Sequence, residues 1–61
     1  MTKDDFAAEL RRRGYAAENE DGCVMVTGPD RKTLRSMERI AAEVSYQGSY
    51  GWRAPHERRG N

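Results

Sequence analysis

One cysteine, one histidine, two prolines and a single phenylalanine are spread through this chain of 61 residues. Each scarcity excludes something. A lone thiol, Cys23, cannot form an internal disulfide, so the sequence fits a reducing compartment and a cytoplasmic location is expected. With one imidazole, His56, no Cys/His pair has metal-ligand spacing, and neither a metal nor another cofactor is expected. No apolar run approaches the ~20 residues of a membrane span. The opening Met1-Thr2-Lys3-Asp4-Asp5 is acidic with no apolar stretch behind it, so neither a secretory leader nor a membrane partner is expected. Charge of one sign is also missing overall: 11 Lys+Arg face 10 Asp+Glu, for a net charge of +1.

What is present is unevenly placed. Residues 1–30 hold four bases and seven acids, whereas residues 31–61 hold seven bases and three acids. Such asymmetry can mark a nucleic-acid-binding half or a solvated surface. The length allows one domain, expected over residues 1–54, with an apolar-free flexible tail over 55–61. A domain of this size buries only about 60% of the surface its unfolded chain exposes. Its core must therefore come from few residues: Phe6, Leu10, Tyr15, Val24, Val26, Leu34, Met37, Ile40, Ala41, Val44, Tyr50 and Trp52. A homodimer or a protein partner is a natural source of further burial.

Local signals divide the chain into five elements. Thr2, with Asp5 three residues on, forms a capping-box-like start for a helix over Lys3–Arg13. Phe6 and Leu10 give it one apolar face. Gly14 stops it, and a Schellman cap would bring Tyr15 against Leu10. Asp21-Gly22 between two extended stretches predicts a two-residue type I′ hairpin turn. In that register Ala17 faces Val26 and Asn19 faces Val24, so Tyr15, Ala17, Val24 and Val26 share one side. Ala16, Glu18, Cys23, Met25 and Thr27 share the other. A three-residue loop would slip this register by one.

Pro29, at the first helical position, and Asp30 then introduce a second helix over about 30–46, with Leu34, Met37, Ile40, Ala41 and Val44 at spacings of three and four. Gly48 is its expected stop. Ser49–Ala54 alternates as a third strand, with Tyr50, Trp52 and Ala54 on one side. The order α-β-β-α-β predicts an α+β two-layer sandwich with both helices on one face of a three-stranded mixed sheet. The most apolar strand, the second, is expected in the centre with the third parallel to it; the rival order puts the first strand in the middle.

Few groups offer chemistry. Cys23 needs a neighbouring cation or base to act as a thiolate, and its cross-strand neighbour in this register is Glu20, a carboxylate. Thr27-Gly28-Pro29-Asp30-Arg31-Lys32-Thr33 lacks the second glycine and the Gly-Lys-Ser/Thr spacing of a phosphate loop. No catalytic residue is assigned, and the chain is expected not to be an enzyme.

Two surfaces remain. The sheet face away from the helices would show Cys23, Met25, Thr27 and Arg53, a candidate contact with a protein partner or a second copy. The outer face of the second helix carries Arg31, Lys32, Arg35 and Arg39, candidates for nucleic-acid contact together with the arginines near the C-terminus. Arg39–Glu43 and Arg35–Glu38 pairing would neutralise part of that strip. Tyr50 and Trp52 are either core or a base-stacking platform.

The helix–Gly14-Tyr15–hairpin opening resembles the small toxin ribonucleases of the HicA type over about 25 residues. Where those proteins place a histidine after the hairpin glycine, this chain has Cys23-Val24-Met25, so the resemblance implies no activity. The order of elements is similar in part to double-stranded-RNA-binding domains, but with one strand fewer before the long helix and one after it. Over residues 2–53, Arg13-Gly14-Tyr15, Asp21–Gly28 and Ser49-Tyr50-Gly51-Trp52 resemble the small reading frames carried by conjugative elements and phages of gut bacteria. That resemblance implies a mobile-element context and no mechanism.

Overall fold

The computed structural model describes residues 1–55. The elements are α1 (Lys3–Arg12), β1 (Ala16–Glu20), β2 (Cys23–Thr27), α2 (Lys32–Glu43) and β3 (Tyr50–Arg53). Their sheet order is β1-β2-β3, with β1 antiparallel and β3 parallel to the central β2. This is the expected α+β arrangement. His56 and the remainder of the expected tail lie outside the described residues.

The local signals behave as their chemistry dictates. The Thr2 hydroxyl accepts from the Asp5 N–H at 3.0 Å, and the Asp5 carboxylate accepts from the Thr2 N–H, closing the capping box. Gly14, at φ 100°, takes the left-handed position, and the Tyr15 N–H reaches the Leu10 carbonyl at 3.0 Å. Asp21 (φ 54°) and Gly22 (φ 85°) form the two-residue turn, setting Ala17 opposite Val26 and Asn19 opposite Val24. The Asn19 side chain ties the turn to the helix: its Oδ1 accepts from the Gly22 N–H at 3.0 Å, and its Nδ2 donates to Asp4 at 2.9 Å.

The second helix is shorter than its periodicity suggests, at both ends. At its start Pro29 lies outside the helix. The Asp30 carboxylate accepts from the Lys32 N–H at 2.8 Å, and the Asp30 carbonyl accepts from the Thr33 N–H, so the turn formed by Asp30 precedes the first helical residue. At its end the stop is Ser45, not Gly48. Ser45 adopts φ 61°, and the Tyr46 N–H donates to the Ala41 carbonyl at 2.8 Å, the second Schellman closure in the chain.

That reversal drops Tyr46, absent from the expected core, onto Phe6. The rings stack with centroids 4.1 Å apart and 9° between planes. The Tyr46 hydroxyl donates to the Ser49 carbonyl at 2.9 Å. Burial first, and the nearby Cys23 thiol second, push its acidity to a pKa above the usual phenol value.

Around this stack lies the core of Phe6, Ala7, Leu10, Ala17, Val24, Val26, Met37, Ile40 and Ala41. Tyr15, Leu34, Val44, Tyr50 and Trp52 pack against it while remaining partly exposed. Tyr50 and Trp52 are therefore on the helix side. The indole N–H of Trp52 donates to the Gly28 carbonyl at 3.1 Å.

Candidate functional site

The helices cover one side of the sheet, and the alternation of side chains decides what the other side shows. Register places Ala16, Thr27 and Arg53 in one row across the three strands, and Glu18, Met25 and Gly51 in the next. Glu20 and Cys23 follow as the pair nearest the hairpin turn. Cys23, Met25, Thr27 and Arg53 thus share this face, each half-buried.

Met25 is the centre of this face. Its thioether lies against Gly51: a Cβ built on that glycine would stand 3.2 Å from Sδ. Cys23 Sγ lies 3.8 Å from the same sulfur. These are soft, adaptable groups in contact. Gly51 is the residue that sequence reasoning missed here. Its lack of a side chain gives Met25 a seat on β3.

Charge frames the face. Glu18 and Glu20 lie on β1 and Arg53 on β3, and the Arg53 guanidinium crosses the sheet to hydrogen-bond Glu20. Parity alone puts both residues on one face, but only the strand order shows that the pair spans β2. A shallow depression of about 250 Å³ lies beside it, bordered by Met25, Thr27, Glu18 and Arg11. Arg11 Nη1 donates to the Ala17 carbonyl at 2.8 Å, which occupies an outward-facing acceptor on the β1 edge.

Two groups of cations stand out among the described residues. Arg12 and Arg13 both bind Glu9, and Arg13 also reaches Glu43 at 3.1 Å. The Arg13 hydrogen bond chiefly holds the Glu9 carboxyl below its ordinary range. The arginine triplet of α1 is therefore engaged with its own chain. On α2, Arg31, Lys32, Arg35 and Arg39 are all exposed, and among the described residues none of their side chains has an ion pair or hydrogen bond. The expected Arg39–Glu43 and Arg35–Glu38 pairs are not formed. Glu43 turns to Arg13 across the helix pair instead.

The segment that superficially looks like a phosphate loop is spent on structure. The Gly28 N–H donates to the Arg53 carbonyl at 3.0 Å, and the Lys32 N–H is taken by the Asp30 carboxylate. Gly28 is buried under Thr33, leaving no backbone cradle for an anion. Among the described residues no group of three or more His, Cys, Asp or Glu side chains could hold a metal ion. No described helix is long and apolar enough to cross a membrane.

Comparison with known proteins adds no relative: no family model matches the chain, and neither a curated protein nor a solved structure matches it.

Proposed function

We propose that this chain is a small non-enzymatic interaction module whose uncovered sheet face docks on the same face of a second copy. The observation that carries this reading is the composition of that face. A seated methionine lies at its centre, with the carboxylates of Glu18 and Glu20 along one margin and Arg53 rooted on the other, its guanidinium lying across the face to Glu20. Two sheets stacked about a two-fold axis parallel to β2 place β1 of one copy over β3 of the other. Glu18 of each copy then stands over Gly51 of its mate, one row from that mate's Arg53, and the two Met25 side chains meet at the axis. Arg53 is long enough to span one row, so on docking its guanidinium exchanges Glu20 for the Glu18 carboxylate of the mate. Strands kept nearly parallel are the common arrangement for packed sheets.

The contact is small. Strands about 4.8 Å apart and of this length cover roughly 200–250 Å² of sheet, against about 800 Å² per partner in a standard stable interface. Association is therefore weak and visible only in a concentration series. Met25→Glu tests it. Met25 is half-buried on the uncovered side, so the variant is expected to keep the wild-type circular dichroism and a cooperative thermal transition. It should sediment as a monomer at concentrations where the wild type shows dimer, because two carboxylates would face each other at the axis. A variant that stays folded and still associates would remove Met25 from the interface. One that unfolds would make it a core residue of the monomer.

A further inference from the structure

The second helix presents a separate site, independent of the sheet face. Arg31, Arg35 and Arg39 follow one another at four-residue steps, so they form a single row along α2 with about 6 Å of rise between neighbours. Lys32 flanks the row, and all four side chains are exposed. What distinguishes them is the contrast with the other described arginines. Arg11, Arg12, Arg13 and Arg53 each donate to an acceptor within the chain. The cations of α2 have no such acceptor among the described residues. The Asp30 carboxylate accepts from the Lys32 N–H, and Glu43 is held by Arg13, which leaves Glu38 as the one carboxylate on this stretch of helix without a described partner. A depression of about 390 Å³ lies between Arg31, Lys32, Leu34, Arg35 and Glu38.

We propose that this row is a docking surface for the phosphate backbone of double-stranded nucleic acid, bound without regard to sequence. Charge complementarity selects the occupant: evenly spaced guanidiniums suit a regular polyanion, and each can take a phosphate through two N–H donors. A single strand is disfavoured because base stacking needs exposed aromatic rings. Tyr50 and Trp52 are packed against the core, and Met1 is the only large hydrophobic side chain exposed among the described residues. A membrane surface is disfavoured for the same reason, since interfacial helices insert Trp, Phe or Leu beside their basic face.

The test is fluorescence anisotropy of a labelled 20-base-pair DNA duplex titrated with the full chain between 50 and 200 mM salt. Four phosphate contacts give a slope of about −3.6 in log K against log salt, or a loss of about 150-fold over that range. Arg35→Gln should flatten the slope by about 0.9, and the triple variant Arg31→Gln, Arg35→Gln, Arg39→Gln by about 2.7. Arg12→Gln, which removes the same charge from α1, should leave the slope unchanged. All four positions are exposed, and unchanged circular dichroism establishes that the variants are folded. The proposal is overturned by absence of binding at 50 mM salt, or by a slope that Arg12→Gln lowers as much as Arg35→Gln. It is equally overturned if phosphatidylserine vesicles bind the chain as tightly as the duplex does.

Discussion

Replacing Phe6 with alanine is expected to leave the chain largely unfolded at 25 °C. Phe6 is completely buried on the sheet side of α1. Its ring stacks on Tyr46 and also meets Tyr50, tilted, with centroids 5.9 Å apart. It therefore joins three parts of the chain that are remote in sequence: the first helix, the reversal after α2 and the start of β3. Truncating a buried phenylalanine costs about 3–5 kcal/mol, and loss of its aromatic partners adds about 0.5–1.5 kcal/mol. A domain of this length has only about 3–9 kcal/mol in total at the usual stability per residue. A urea titration followed by far-ultraviolet circular dichroism reads the result directly. Phe6→Ala should show little or no native baseline, while the more conservative Phe6→Leu should keep a cooperative transition at a lower midpoint. A Phe6→Ala midpoint close to that of the wild type would contradict the packing described.

Gly28→Ala should be the next most damaging, for the opposite reason. A Cβ at Gly28 would stand 2.2 Å from Thr33 Oγ1, 2.8 Å from its Cγ2 and 2.9 Å from its Cβ. Thr33 is buried in the first turn of α2 and stiff at χ1, so its side chain cannot swing clear. Either the helix start or the Gly28 backbone must move. The backbone is held by its N–H bond to Arg53 and by the Trp52 indole on its carbonyl. Overpacking of this kind costs about 1–3 kcal/mol, and the upper part of that range is expected because two hydrogen bonds are displaced with it. Thr33→Ala removes Oγ1 and Cγ2 and should recover much of the loss in the double variant. A double-mutant cycle on denaturation midpoints then gives a coupling of about 1–2 kcal/mol. A neutral Gly28→Ala, or a cycle with no coupling, would mean that the two residues do not touch.

What could be read from the amino-acid sequence was governed by distance along the chain. The Thr2–Asp5 box, the Gly14 cap with Tyr15 against Leu10, and the Asp21-Gly22 turn each involve neighbours within a few residues. The chemistry of those residues admits few alternatives, and the hairpin register places Met25 and Cys23 on the uncovered face. Helix 2 was overextended because hydrophobic spacing continues through Val44 to Tyr46. The pattern does not reveal that Ser45 takes a left-handed φ or that Tyr46 lands on a ring 40 positions earlier. Glu43 shows the same limitation with charge. Its neighbour four residues back is Arg39, yet it pairs with Arg13, which only the packing of the two helices brings near. The outcome leaves the α2 cations without the neutralisation their spacing suggested. Gly51 was visible as a residue, but its use as the seat for Met25 depends on the parallel pairing of β3 with β2.

The central claim is the pairing of two sheet faces in which Arg53 reaches the Glu18 of the mate, and a charge-swap mixing experiment by sedimentation equilibrium tests it most directly. Arg53→Glu alone gives a face with acids on both margins, and Glu18→Arg alone gives a guanidinium on each margin. Each variant should sediment as a monomer across a concentration series in which the wild type forms dimer. Mixed in equal amounts, they should associate as well as the wild type, because both trans pairs become Glu–Arg again. High salt should weaken the mixture and the wild type alike. Circular dichroism of each variant shows whether loss of the internal Arg53–Glu20 bond has left the fold intact. A wild-type chain that stays monomeric at the highest concentration, or folded variants that remain monomeric when mixed, would contradict the account.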